Sequence, residues 1–176
     1  MLRKFKSWFE GEPPDTLRFP MQTLTIRDTV YQLRRMGEPD VDGALAIERA
    51  IYTDTPWDRV AFLAELRKVQ HSLYLVLTHD EHIVAFIGCW FTKAEAHVTN
   101  IAVAPSWQRR GIGRTLMHTM IAQATAMGCA AMTLEVRTDN GTAQALYHAL
   151  GFTDGRIKRG YYVSDHADAM DMRLGL

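Results

Sequence analysis

Between Leu24 and Met36 apolar side chains fall at Leu24, Ile26, Tyr31 and Leu33 with polar residues between them, the alternation of an extended chain. GEPDVDG then marks a turn, and Val41 to Tyr52 has helical spacing with Asp40 or Asp42 placed to cap it. A second helix is predicted in TPWDRVAFLAELRKV, starting near Asp58 with Val60, Leu63 and Leu66 at helical spacing. SLYLVLTHDEHIVAFIGCWF is two apolar runs parted by THDEH, the pattern of a hairpin, and HVTNIAVAP is a strand ended by Pro105. The clearest helix runs from Gly111 to Met127: Ile112, Leu116, Met120, Ile121, Ala124 and Met127 form one stripe, and Gly128 closes it. MTLEVRT is a strand, TAQALYHALGF a helix stopped by Gly151, and IKRGYYV and ADAMDMRL are predicted as closing strands. The order is strand, two helices, three strands, helix, strand, helix, two strands. That is an α/β chain with one sheet of mixed direction, about seven strands and about four helices.

At 176 residues the chain is long enough for one domain with a real core. We divide it into an N-terminal extension, residues 1–22, and a domain from 23 to 176. In the extension Leu2, Phe5, Trp8 and Phe9 share a helical face beside Arg3, Lys4 and Lys6, until the stretch from Gly11 to Pro14 breaks it. Packing on the domain and contact with a partner both remain open for this arm, and Met21 is an alternative start. The longest apolar run, Ile83 to Phe91, is too short to span a bilayer, and MLRKFKSWFEGEPP lacks the apolar segment of a signal peptide. Cys89 and Cys129 form no CxxC, which suits a reducing compartment; a cytoplasmic protein is expected. His79, Asp80, Glu81 and His82 sit together, but as a solvated turn with no further ligands nearby, so no metal is expected.

The formal net charge is zero, so no overall field argues for nucleic acid or an anionic membrane. Charge is nevertheless unevenly placed. From Ala96 through Leu134 there is no Asp or Glu, while Arg109, Arg110 and Arg114 cluster in WQRRGIGRT, where a strand hands over to the long helix. A strand, a glycine turn and a helix start make an anion site, because first-turn N–H groups lack partners and glycine admits an anion to the backbone. The dinucleotide fingerprint requires a glycine where Leu116 stands, and the P-loop requires a lysine where Arg114 stands. What remains is Q-x-x-G-x-G, Gln108 to Gly113, or simply a turn with surface arginines.

NIAVAPSWQRRGIGRTLM, then LEVRTDNGTAQALYHALGF, then GYY, resembles the GNAT superfamily of acetyl-CoA-dependent N-acetyltransferases, and more closely its RimI type, which acetylates the N-terminal alanine of a small-subunit ribosomal protein. The likeness runs from about Tyr31 to Leu174 and includes TPW at Thr55 to Trp57. It implies the GNAT fold, a mixed, mostly antiparallel sheet with flanking helices. It implies acetyl-CoA as cosubstrate, its pantetheine arm along Ile101, Ala102 and Val103. Its pyrophosphate would be wrapped by Arg109, Arg110, Gly111, Ile112, Gly113 and Arg114, and Asn140 would contact it as well.

Acetyl transfer to nitrogen needs a neutral amine and a protonated leaving thiolate. An α-amine titrates near ~7.7–8.0 and lysine near ~10.4, a difference of roughly 3–4 kcal/mol, so a weak base favours an N-terminus. Glu135, mid-strand in LEVR, faces either solvent, a salt bridge to Arg137, or a site; the resemblance makes it the general base. It likewise makes Tyr147 the general acid and sets Tyr161 and Tyr162 beside the acceptor peptide, although both can be plain strand aromatics. His97, His118 and His148 have no spacing that suggests catalysis. Two other functions stay open: acetylation of a small amine or lysine side chain, and a module that holds acetyl-CoA without turnover, against which intact Glu135 and Tyr147 speak.

Overall fold

A computed structural model describes residues 17–52, 55 and 57–176; the apolar face of Leu2, Phe5, Trp8 and Phe9 lies outside them. The alternation before Met36 proves to be two strands, β1 (Gln22–Ile26) and β2 (Thr29–Arg35), because Arg27 and Asp28 both adopt positive φ and close a hairpin. Two helices follow, α1 (Val41–Ile51) and α2 (Arg59–Leu66), then β3 (Ser72–His79), β4 (His82–Phe91) and β5 (Glu95–Val103). Next come α3 (Ile112–Ala126), β6 (Ala131–Arg137), α4 (Gly141–Ala149), β7 (Thr153–Lys158) and β8 (Ala169–Gly175). All eight described strands form one sheet in the order β1-β2-β3-β4-β5-β6-β8-β7, antiparallel except for the parallel pair β5–β6. One strand more than the periodicity counted is the split of the first segment.

Two other expectations change. The last turn of IKRGYYV is not strand: β7 starts at Thr153 and ends at Lys158, before Gly160 turns the chain at positive φ. On α2, Val60 faces water, and Ala61, Phe62 and Glu65 are the buried positions. Asp58 does cap α2, its Oδ1 accepting from Ala61 N–H at 2.7 Å.

Helices cover both faces of the sheet. On one, α1 and α2 bury Val41, Ala44, Leu45, Ile47 and Phe62 against Tyr74, Val76, Phe86 and Ala102. On the other, Ile112, Leu116, Met117, Met120 and Ala124 of α3 pack on Leu75, Ile87, Val98, Leu134 and Val136. Leu17 also enters that second core, and Arg35 holds its carbonyl.

Asp40 precedes α1 but does not cap it. Its carboxylate grips the Arg34 guanidinium with two bonds of 2.7 and 2.8 Å and accepts Gly37 N–H at 2.8 Å. The Arg34 bond, reinforced by Gly37, holds the Asp40 carboxyl below its ordinary value. A depressed acid stabilises the fold above its unfolded value and stops doing so as pH falls through its folded one. Asp40→Ala should therefore cost about 1–3 kcal/mol at pH 7 and progressively less as pH falls below the unfolded carboxylate value, read as urea midpoints across that range.

Candidate active site

The site begins at a glycine inside a strand. A side chain at Gly88 would strike the Tyr74 ring, which lies 2.2 Å from where its Cβ would stand. The ring crosses the strand there, and the Tyr74 hydroxyl meets Thr99 Oγ1 at 2.7 Å. Thr99 is the extra residue of a bulge: Cys89 pairs with Val98 and Gly88 with Asn100. A bulge bends its strand. Beyond it β5 stays with β4 and β6 stays with β8, while the β5–β6 pairing stops at Val98–Leu134. The sheet therefore opens into a V between the second half of β5 and Glu135–Arg137 of β6.

Which groups face the V follows from alternation. Ala104 N–H donates to Val84 O at 2.8 Å, so the main-chain groups of Ala102 also face β4, and those of Ile101 and Val103 face the opening. Gln108 Nε2 takes the Val103 carbonyl at 3.0 Å. At the end of β5 the turn bends back through Arg109 and Gly111, at φ +62° and +89°, into α3. No side chain caps α3, and the first backbone bond from this start is Thr115 N–H to Gly111 O, 3.0 Å, leaving the N–H groups of Ile112, Gly113 and Arg114 without helical acceptors. Ile112 is buried and anchors the helix; Arg109, Arg110 and Arg114 are exposed. Arg110 stacks 4.8 Å over Trp107 and donates to Ser106 O, and Arg27 from the β1–β2 turn donates to Arg109 O at 3.1 Å. Asn140 sits across the V as the cap of α4, its Oδ1 accepting from Ala143 N–H at 3.1 Å.

Glu135 points away from the α3 core, its side chain 8% exposed. It pairs with neither solvent nor Arg137. Lys158 Nζ lies 2.6 Å from Oε1 and His97 Nε2 lies 3.0 Å from Oε2. Burial pushes the carboxyl upward, but the bonds and charges of His97 and Lys158 outweigh it, and the net shift is down. Arg137 instead binds Asp139 and Asp165 and lies 5.0 Å from the Tyr162 ring. His97 corrects the expectation from spacing: it is 3% exposed, with Nδ1 2.9 Å from Thr133 Oγ1. Thirty-eight positions separate it from Glu135, and the parallel register of β5 on β6 joins them. His118 is exposed, and exposed His148 pairs with Asp154.

Tyr147 is 6% exposed and packs on Phe152. Burial raises its hydroxyl well above the usual tyrosine value, with Tyr52 and Tyr162 adding to the rise. Tyr161 and Tyr162 follow β7 in a turn, edge to face at 5.2 Å. Burial raises both, and the charge of Glu135 acts on each. Tyr162 is thus within electrostatic reach of both Glu135 and Tyr147. A buried carboxylate that spacing did not single out, Glu48 of α1, lies under β5 and accepts from Asn100 Nδ2 at 2.9 Å. Its only trace in the sequence is an acid among apolar neighbours in ALAIERAI.

A bent strand, an open V and an uncapped helix behind Q-x-x-G-x-G define a class, and the chain belongs to it: the profile of the acetyltransferase (GNAT) family matches residues 31–152. Within that family it is similar to the ribosomal protein bS18-alanine N-acetyltransferase of Salmonella typhimurium, 37% identical over 88% of this chain and 97% of that one. A putative enzyme of the same name from Bacillus subtilis is 32% identical over 82% of this chain and 95% of its own. The crystal structure of the ribosomal-protein-S18-alanine N-acetyltransferase from Escherichia coli superposes with a TM-score of 0.74, at 33% identity, covering 82% of this chain and 93% of that one. The chain is therefore an acyltransferase of RimI type. Among the described residues no helix is long and apolar enough to cross a membrane.

Proposed function

We propose that this acyltransferase acetylates the N-terminal α-amine, an alanine terminus, of a small-subunit ribosomal protein in the cytoplasm, by direct transfer from acetyl-CoA. The observation that carries the reading is the V itself, with Glu135 on its β6 arm and Tyr162 within electrostatic reach of both Glu135 and Tyr147.

The residues present suit the cosubstrate. The open N–H groups of Ile112, Gly113 and Arg114 suit a diphosphate, and the edge of β5 at Ile101 and Val103, which no strand covers and whose Val103 carbonyl Gln108 holds, suits the amides of a pantetheine arm. When bound, acetyl-CoA supplies an activated acetyl thioester. Ala102 turns its backbone to β4 and serves by holding the strand; Arg109, Arg110 and Arg114 supply positive charge at the turn. Asn140 orients α4, and with it Tyr147.

The Glu135 carboxylate accepts the proton of the acceptor ammonium. With its pKa held low it is a weak base, better matched to an α-amine near ~7.7–8.0 than to lysine near ~10.4. Tyr147, kept protonated by burial, holds the proton that the leaving sulfur needs. Tyr161 and Tyr162 wall the acceptor side.

Tyr147→Phe keeps the buried ring and removes the proton. Turnover is expected to fall about 10²-fold, with the Kd for acetyl-CoA within about twofold of the parent by calorimetry. Wild-type turnover in that variant reassigns Tyr147 to packing. The acceptor is tested by thiol release with an alanine-starting ribosomal peptide, the same peptide blocked at its N-terminus, and a polyamine. Activity with the free N-terminus alone is expected; activity with the polyamine alone overturns the assignment.

A further inference from the structure

Among the described residues four buried carboxylates stand on or near the sheet, and three are matched by a cation. Asp40 holds Arg34, Glu65 holds Lys68 at 2.7 Å, and Glu135 holds Lys158. Glu48, 1% exposed, is the fourth, and its hydrogen bonds come from neutral donors: Asn100 Nδ2 on Oε1 at 2.9 Å and Thr55 Oγ1 on Oε2 at 2.8 Å. Burial raises its pKa, and those two bonds act to keep it ionised. Its place in the last turn of α1 adds to the cost, since the helix dipole is already negative there. A buried anion without a counter-ion is an expensive way to hold a helix on a strand.

Its partners lead to the V. Asn100 immediately precedes Ile101 at the opening of β5, and Thr55 belongs to the α1–α2 connection, where its Oγ1 also accepts Trp57 N–H at 3.1 Å. Tyr52, whose N–H donates to Glu48 O at 2.8 Å, feels the charges of Glu48 and Arg137 and lies close enough to Tyr147 and Tyr162 to act on both. Glu48 thus stands one helical turn from the residue that borders the V, where Lys158 already offsets Glu135 and Arg137 is held by Asp139 and Asp165.

We propose that Glu48 is a specificity-determining residue of the acceptor pocket: its unbalanced negative charge, held under the V by Asn100 and Thr55, selects an acceptor that arrives as a cationic amine. The inference rests on the acceptor entering at the V, as set out above. Glu48 does not touch the acceptor; it acts on the ammonium form at a distance, so its effect is on binding and KM, and kcat follows from Glu135 and Tyr147. In a site of intermediate dielectric such a charge changes the affinity of a cation by about tenfold.

The test uses the full chain saturated with coenzyme A and two peptides, alanine-starting and otherwise identical, one with a free N-terminus and one N-formylated. Calorimetry should find that the wild-type protein prefers the cationic peptide, and that Glu48→Gln loses about tenfold on that peptide and nothing on the formylated one. Coenzyme A affinity and kcat stay within about twofold. Thr55→Val, which removes one of the two bonds that keep Glu48 ionised, reduces the preference without reversing it, and Glu48→Met gives the Glu48→Gln result should that variant not fold. Equal weakening of both peptides, or no change in either, overturns the proposal by making Glu48 a purely structural acid. If the wild-type protein binds coenzyme A but neither peptide, the α-amine assignment falls by itself. The charge is then read on spermidine against its fully acetylated form, with the same variants and the same criteria.

Discussion

Glu135→Gln is expected to lower kcat on the order of 10²-fold or more at pH 7, with the deficit shrinking as pH rises past about 9. Glutamine keeps the shape and an acceptor oxygen but cannot take a proton. Above about pH 8 the acceptor α-amine is already neutral, so the lost base matters less. The sign of the Glu135 shift separates this loss from instability. Its carboxyl is lowered in the fold, so its contribution to stability is complete above the unfolded value of about 4.3 and lost only as pH falls through the folded one. An assay from pH 7 to 10 lies wholly above that window. A deficit equal at every pH would make Glu135 a structural partner of Lys158 and His97.

The second large effect is at the turn. Gly111→Val should raise the Kd for acetyl-CoA at least tenfold and lower the thermal midpoint as well, because φ +89° is a conformation that a β-branched residue reaches only with strain. Gly113 is different. A Cβ there would meet Leu146 and Val103 at 3.5 and 3.9 Å, ordinary contacts, and Ala is a better helix former than Gly. Gly113→Ala should leave the thermal midpoint equal or higher while weakening acetyl-CoA severalfold, and Gly113→Val should weaken it further, since the added atoms project between β5 and α4. Arg110→Ala should change affinity less than either valine, its guanidinium being engaged with Trp107 and Ser106. Calorimetry beside a melting curve reads both quantities. Normal affinity in Gly113→Val would refute the proposed path of the cosubstrate.

These two experiments probe features that differ in how far the chain order exposes them. The turn is local. A strand, two glycines and the stripe of α3 lie within some thirty residues, and the bonding needs of a helix start follow from the backbone alone. The alternation in LEVR likewise puts Glu135 opposite Leu134 and Val136, though it leaves open what Glu135 meets. Tyr161 and Tyr162 fall outside the strand that the residue pattern predicts because the chain turns after Lys158 at Gly160, whose positive φ the order of residues does not reveal.

The order of residues by itself determined the α/β class, the four helices, the glycine turn at the head of α3 and the residues that tie the chain to its family. Each of these depends on neighbours within a few turns or on a contiguous motif. Only the tertiary structure decided that β5 leaves β6 after Val98, that His97 and Lys158 hold Glu135, and that Glu48 lies uncompensated beneath Asn100. Those facts come from the Tyr74–Thr99 bulge and from pairings across 23 to 52 positions, and the charge a carboxylate keeps depends on which distant groups the sheet brings to it.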